Sequence, residues 1–242
     1  MDENIERLQK MIDESANIVF LGGAGVSTES GIPDFRSAGG LYNAQYPYPP
    51  ETILSSDFFY AHTQAFYDFY RAKMLYLDAK PNKAHTALAA LERSGKLKAV
   101  VTQNIDNLHQ AAGSKNVLEL HGSVYKNKCV RCGRTYGIEA VIDSGGVPKC
   151  ACGGVIKPEV VLYGESLDRD TLSRAVRHIA EADMLIVGGT SLNVYPAAGL
   201  VDYYDRRHGR LVILNKSSTP YERHADLVIH DSIGEVLSQI RI

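Results

Sequence analysis

The sequence predicts an α/β fold: a mostly parallel sheet with helices on both faces, interrupted by a small unit built around cysteines. Three observations carry this expectation. Short apolar runs of strand length alternate with segments of helical period along most of the 242 residues. Two of those runs end in glycine turns, Gly22-Gly23-Ala24-Gly25 and Gly188-Gly189-Thr190-Ser191. The alternation lapses over residues 122–157, the stretch that holds all four cysteines.

Taken in order, residues 2–15 set Ile5, Leu8, Met11 and Ile12 on one helical face. Asn17–Leu21 reads as a buried strand, and residues 38–50, rich in Gly, Tyr and Pro, as a loop. Pro50–Leu77 is helical and aromatic, with Phe58, Phe59, Phe66, Tyr67, Phe69 and Tyr70, and reads as an inserted module. A helix over 83–94 precedes a strand at Leu97–Thr102, and Val117–Leu120 supplies a third strand. Beyond the cysteines the pattern predicts a helix at Leu172–Ala182, a strand at Met184–Val187 and a helix at Pro196–Arg207. Strands at Leu211–Leu214 and Asp226–Ile229 and a helix at Ile233–Ile240 complete the chain. No internal repeat or low-complexity stretch interrupts it.

Composition narrows the function classes. A hydrophobic content of 45% allows a sizeable core, in one large domain or a large one with a small companion. A net charge of -2 argues against broad electrostatic binding to nucleic acid. No run approaches the roughly 18 apolar residues of a membrane span. Residues 1–20 begin with charges and lack the apolar centre of an export signal, so the expected location is cytoplasmic.

A glycine turn after a strand lets backbone approach a phosphate, and a following helix offers its N-terminal N–H groups. The dinucleotide fingerprint would place glycines at 23, 25 and 28, but position 28 is Thr28. The turn by itself equally suits a tight strand-to-helix connection with no ligand. Downstream, Asp34, Phe35 and Arg36 add an acid, an aromatic and a guanidinium. An arginine beside such a turn suits a pyrophosphate, and an aromatic can shield a reacting centre from water. The alternative for Asp34 and Arg36 is a surface ion pair.

The strand Leu97–Thr102 ends in Gln103-Asn104-Ile105-Asp106, at the sheet edge where open α/β folds bind ligands. Asn104 or Asp106 could instead cap a helix at 107–112. His121 follows another strand end on the same side. A lone histidine is usually structural, yet this position suits a general base near neutral pH. Cys129-x2-Cys132 and Cys150-x-Cys152 form two close pairs 17 residues apart. In a reducing compartment such a set suits one tetrahedral zinc with no open position, hence a structural site. A redox dithiol and reduced core thiols are the alternatives.

These segments, read together, resemble the sirtuin family, above all its bacterial and archaeal members. The matching stretches are Gly23-Ala-Gly-Val-Ser-Thr-Glu-Ser-Gly-Ile-Pro-Asp-Phe-Arg36, Thr102-Gln-Asn-Ile-Asp106, Leu120-His-Gly122, the four cysteines, Val160-Val-Leu-Tyr-Gly-Glu165 and Gly189-Thr-Ser-Leu-Asn-Val-Tyr-Pro-Ala-Ala198. They occur in family order and span most of the chain. The resemblance implies a Rossmann-like NAD-binding domain of residues 1–38, 83–121 and 158–242. It implies a small domain made of the helical module, 39–82, and a zinc ribbon, 122–157.

By the same resemblance, Gly23, Ala24, Gly25, Thr28, Asp34, Phe35, Arg36, Gln103, Asn104, Ile105, Asp106, His121, Gly189, Thr190, Ser191, Asn215 and Ile233 fall at NAD-binding positions. Phe35, Ile105 and Asp106 are those that hold the nicotinamide. Val161, Tyr163, Gly164, Glu165, Asn193 and Val194 fall where an acyl-lysine peptide pairs as an added strand. Cys129, Cys132, Cys150 and Cys152 hold the zinc. His121 matches the catalytic base, and Asn104 the residue that orients the ribose or a water.

The implied reaction is NAD-dependent deacylation of lysine. The acyl oxygen attacks the anomeric carbon of the nicotinamide ribose, and nicotinamide leaves. His121 takes a ribose hydroxyl proton, that hydroxyl attacks the imidate, and water releases lysine and O-acyl-ADP-ribose. Three departures from common family patterns are Thr28, where many relatives have alanine although similar bacterial members carry Thr, the Cys-x-Cys pair, expected to distort the zinc loop, and the helical module. Members that prefer acidic acyl groups carry Tyr-x-x-Arg there; here Tyr67 is followed by Tyr70, with Arg71 one place beyond, so a neutral group such as acetyl is expected. Rival readings are a mono-ADP-ribosyltransferase on the same scaffold and a non-catalytic zinc-ribbon binding module. Membrane association is not expected, and nucleic acid is disfavoured.

Overall fold

The computed structural model describes residues 3–35, 40–41 and 46–242. Helix α1 (Glu3–Glu14) leads into strand β1 (Ile18–Gly22), after which the chain makes two 3-10 turns, Ala24–Val26 and Thr28–Ser30. The helical module is three short helices, α2 (Pro50–Ile53), α3 (Ser56–Ala61) and α4 (Thr63–Lys73). Next come α5 (Lys83–Arg93), β2 (Leu97–Thr102), α6 (Leu108–Ala111) and β3 (Val117–Glu119). The cysteine segment supplies β4 (Gly122–Cys129), β5 (Thr135–Tyr136), α7 (Glu139–Ile142) and β6 (Ile156–Val160). The chain closes with α8 (Arg169–Glu181), β7 (Met184–Gly188), a 3-10 helix at Ala197–Tyr203, β8 (Arg210–Leu214), β9 (Leu227–Ile229) and α9 (Ile233–Leu237).

Among the described residues, six strands form one parallel sheet in the order β3-β2-β1-β7-β8-β9. Counted within that sheet, this is the 3-2-1-4-5-6 order of Rossmann-like folds, with the reversal of direction between β1 and β7. The apolar runs are apolar throughout because both sides are covered. In β1, Ile18 and Phe20 face a core shared with α1, α5 and α9. Val19 and Leu21 face the opposite core, with Ala175 and Ile179 of α8 and Ala197–Val201. Burial of such side chains contributes about 1.5–3 kcal/mol each.

A second sheet, β5-β4-β6, is antiparallel. It shares a core with the helical module: Val124, Val160 and Leu162 pack with Phe58, Phe59, Phe66, Tyr67 and Tyr70. The Tyr67 hydroxyl donates to the Ile156 carbonyl, tying α4 to β6.

Three local expectations are corrected. No α-helix follows the first glycine turn; Gly31, at φ 82°, stops the second 3-10 turn, and Pro33 follows. The helix expected at Pro196–Arg207 is a 3-10 helix over Ala197–Tyr203 with Gly199 inside it. The helical stretch 50–77 ends at Lys73 and breaks where the Ser55 hydroxyl caps α3 and where His62 leaves helical geometry.

His85 on α5 and His109 on α6 are both buried, with ring centroids 4.7 Å apart. No hydrogen-bond partner reaches His85 Nε2 or either His109 ring nitrogen among the described residues. Burial pushes His85 down to about 4. Burial, reinforced by the nearby His85, pushes His109 down to about 3. Both folded values lie below the unfolded value of about 6.5, so between them the unfolded chain binds protons that the folded chain refuses. This share of stability is complete above about pH 6.5 and declines as pH falls toward the folded values, by up to about 1.4 kcal/mol per pH unit per histidine. Melting temperatures recorded from roughly pH 7 to pH 5 should fall, and His109→Leu should flatten the profile. A profile that is level in the unmodified protein would refute this.

Candidate active site

The parallel register sets Gly22 of β1 beside Thr102 of β2 on one side and Gly188 of β7 on the other. The two glycine turns therefore emerge side by side at the switch point. They touch: Gly25 N–H donates to the Gly189 carbonyl (2.8 Å) and Gly23 N–H to the Gly188 carbonyl (3.2 Å). A methyl on Gly25 would lie 2.7 Å from Gly189 Cα, and one on Gly23 2.8 Å from Thr190 Cβ. The first requirement of these glycines is the close approach of one turn to the other. Thr28 closes its own turn, its hydroxyl donating to the Gly25 carbonyl (3.0 Å).

The segment after β2 is bound to both turns. Gln103 Nε2 donates to Thr190 Oγ1 (3.0 Å), and the Gln103 N–H to the Gly22 carbonyl (3.0 Å). Asn104 is buried; its N–H donates to Thr102 Oγ1 and its Nδ2 to Ser27 Oγ, each at 3.0 Å. The Ser27 hydroxyl in turn donates to Asp106 Oδ2 (2.6 Å). The other Asp106 oxygen accepts the Leu108 N–H (3.0 Å) at the start of α6. One carboxylate oxygen thus meets the start of α6 while the other stays on Ser27. Burial raises its pKa, and the Ser27 bond opposes that. Ser27 lies inside the recognised motif but was assigned no role. Its partners stand 77 and 79 residues away, so no local pattern reveals them.

His121 follows β3 and is half-buried. Its Nδ1 lies 3.0 Å from the Gln103 carbonyl. A carbonyl only accepts, so Nδ1 carries the proton and Nε2 keeps its lone pair. Burial lowers the pKa, partly offset by this bond. Gly122 must follow it: φ is 74°, and a methyl there would stand 1.8 Å from the Glu159 carbonyl oxygen.

Asn215 follows β8, and its Nδ2 donates to the Ser217 carbonyl (2.5 Å). Ile233 opens α9, with Cδ1 3.1 Å from where a methyl on Gly188 would sit. Ser191 follows Thr190 in the second turn and is half-buried. Phe35 and Ile105 pack on the core of the helical module. The Asp34 carbonyl accepts the Leu41 N–H (2.9 Å). Arg36 lies outside the described residues.

Beyond β6, the Val161 N–H donates to the His121 carbonyl (3.0 Å). Tyr163 gives its N–H to the Leu54 carbonyl and takes the Ser56 N–H on its own carbonyl, each at 2.9 Å. Glu165 Oε2 accepts the Leu162 N–H (2.9 Å) and pairs with Lys157 Nζ (3.0 Å). Gly164 has φ 89°, and Asn193 is exposed, next to half-buried Val194. Tyr163 therefore spends its backbone groups on the helical module. Arg71 is likewise engaged: Nε reaches the Val141 carbonyl (3.0 Å), and Nη2 the Ser144 hydroxyl (2.5 Å) and the Gly146 carbonyl.

The four cysteine Sγ atoms lie within 4.8 Å of one another. Cys129–Cys152 and Cys132–Cys150 are 3.5 and 3.6 Å apart. A tetrahedral Zn–thiolate site with arms of about 2.3 Å has edges of about 3.8 Å, so the four residues fit such an ion. The Cys-x-Cys spacing was expected to distort the loop; Gly153, at φ 80°, gives it the tight turn it needs.

The Sir2 family pattern matches residues 23–196. An NAD-dependent protein deacetylase of Clostridium acetobutylicum is 57% identical over 242 residues, covering 98% of each chain. Among solved structures, a Sir2 histidine variant with deacetylated p53 peptide and 3'-O-acetyl ADP ribose matches with a TM-score of 0.91 at 42% identity, covering 98% of this chain and 96% of that one. A Sir2–p53 peptide–NAD+ complex matches with a TM-score of 0.87 at 42% identity, covering 96% and 95%.

Proposed function

The chain belongs to the Sir2 family, and from that premise we propose that it is an NAD-dependent protein deacetylase acting on acyl-lysine in peptides or proteins. The observation that carries the catalytic assignment is the His121–Gln103 bond. It holds the imidazole as the tautomer whose Nε2 accepts a proton, at the ligand edge of the sheet. When bound, NAD supplies an anomeric carbon with nicotinamide as leaving group. His121 Nε2 takes the proton of a ribose hydroxyl, and the Gln103 carbonyl steadies the resulting imidazolium. Asn104, fixed by Thr102 and Ser27, orients the ribose or a water. Phe35 and Ile105 give the nicotinamide end an apolar wall that excludes competing water. Gly23, Ala24, Gly25, Thr28, Asp34, Arg36, Asp106, Gly189, Thr190, Ser191, Asn215 and Ile233 complete the NAD site in this reading. The four cysteines hold a structural zinc.

The peptide enters between a large domain of residues 1–38, 83–121 and 158–242 and a small one of 39–82 and 122–157. It pairs as a strand along Val161, Gly164 and Glu165 on one side and Asn193 and Val194 on the other. Tyr163 meets it with its exposed ring. No described helix is long and apolar enough to cross a membrane. The four thiols, free of disulfides, support a cytoplasmic setting, and the net charge of -2 weighs against nucleic acid.

Acyl preference follows from Arg71 and Tyr70. The guanidinium is engaged inside the small unit, and the fully buried Tyr70 hydroxyl, without a partner among the described residues, is held protonated by burial. Arg71 is held on the small unit's own carbonyls, and Tyr70 carries no charge to offset a carboxylate. Mass spectrometry of peptide panels should show NAD-dependent removal of acetyl and propionyl, with succinyl and malonyl slower by roughly a hundredfold or more, the scale of an unpaired buried charge. Absence of any NAD-dependent acetyl loss would refute the activity; equal rates on acidic acyl groups would refute the preference.

A further inference from the structure

We propose that Asn82 is a positioning residue for the cofactor, holding the loop that follows β1 in its binding conformation. The inference rests on the NAD reading above. Asn82 stands at the N-terminus of α5, where its Oδ1 accepts the Ala84 N–H (2.9 Å) and the His85 N–H (3.4 Å). That is ordinary helix capping. The same side chain does a second thing that a cap does not require. Its Nδ2 donates to the Val26 carbonyl (2.8 Å) and to the Ser30 hydroxyl (3.0 Å), more than fifty residues earlier. These two acceptors bracket Ser27 and Thr28. Ser27 is the residue through which Asn104 and Asp106 are bound to the loop.

One amide thus links three parts. Its oxygen fixes the start of α5, its nitrogen closes both ends of the short loop, and the loop orders the polar segment after β2. The need for it is local: the chain between Gly23 and Gly31 has only 3-10 turns, which cannot hold their own shape as an α-helix would. The capping and loop-holding roles reside on different atoms, so they can be separated by substitution. Aspartate and serine both cap helices well, and neither offers the two N–H donors of the asparagine amide. Aspartate also brings a negative charge near an anionic ligand; serine does not.

Asn82→Asp and Asn82→Ser are compared with the unmodified protein by thermal melting and by calorimetric titration with ADP-ribose. Both variants should melt within about 6 °C of the parent, because the cap is retained and only the Nδ2 bonds are lost. Both should bind ADP-ribose roughly tenfold more weakly, the scale of one or two lost net hydrogen bonds. In turnover assays KM for NAD should rise by a similar factor with kcat nearly unchanged. Binding equal to the parent in both variants would overturn the proposal. So would weakening confined to Asn82→Asp, which charge repulsion alone explains. So would melting below the assay temperature in both, since capping and loop holding would then not be separable. Failure of the unmodified protein to bind ADP-ribose would instead bring down the NAD reading itself.

Discussion

Replacing His121 with alanine is expected to lower turnover of an acetyl-lysine peptide by a factor of about 10²–10⁴, the usual contribution of a positioned general base. The fold should survive. The ring is half-buried and bonded to the Gln103 carbonyl, so its loss leaves a solvent-reachable gap rather than a sealed cavity. The pH profile provides a second check. A base works when deprotonated, and burial holds the His121 pKa below the ordinary histidine value. The acidic limb of kcat/KM should therefore fall below about pH 6.5 and vanish in the variant. Full activity in His121→Ala, with an unchanged acidic limb, would remove this residue from its role.

Substitution of Cys129 by serine should abolish both metal binding and activity. Apparent binding free energies of structural zinc are about 10–16 kcal/mol in small zinc-finger peptides, comparable to the whole stability of a domain. The cysteine end of the ribbon has little else: its core cluster is Cys129, Cys150 and Ile156, with Tyr136 and Ala140 beside it. Its collapse would reach the active site through covalent connection. Strand β4 begins at Gly122, directly after His121, and β6 ends at Val160, directly before Val161. The large sheet, whose two cores share no residue with this cluster, should remain folded. Metal analysis, limited proteolysis within 122–157 and the peptide assay together test this; a chelator should reproduce the effect in the unmodified protein. A variant that stays protease-resistant and active would rule out the structural role.

The parts of this protein that the sequence determined by itself are those whose cause is local. Strands β1 and β7, and Leu211–Leu214 of β8, are legible because a strand buried on both faces must be apolar at every position. The position of Gln103–Asp106 after β2 and of His121 after β3 follows in the same way, since the end of an apolar run marks the edge of the sheet. Four cysteines in two close pairs announce a shared ligand because thiols so spaced have few other uses in a reducing setting.

Tertiary structure decided what depends on distant partners. Strand order brought Gly22 beside Gly188 and so set Gly23 and Gly25 against Gly189 and Thr190, where a side chain has no room. It also replaced the expected helix after β1 with 3-10 turns, which need Asn82 from elsewhere in the chain to hold them. Ser27 looks like any small polar residue until folding sets it between Asn104 and Asp106. The physical reason is one of range. Periodicity and turn chemistry report how a segment meets water, whereas a hydrogen bond across scores of residues depends on which surfaces pack, and no single segment carries that information.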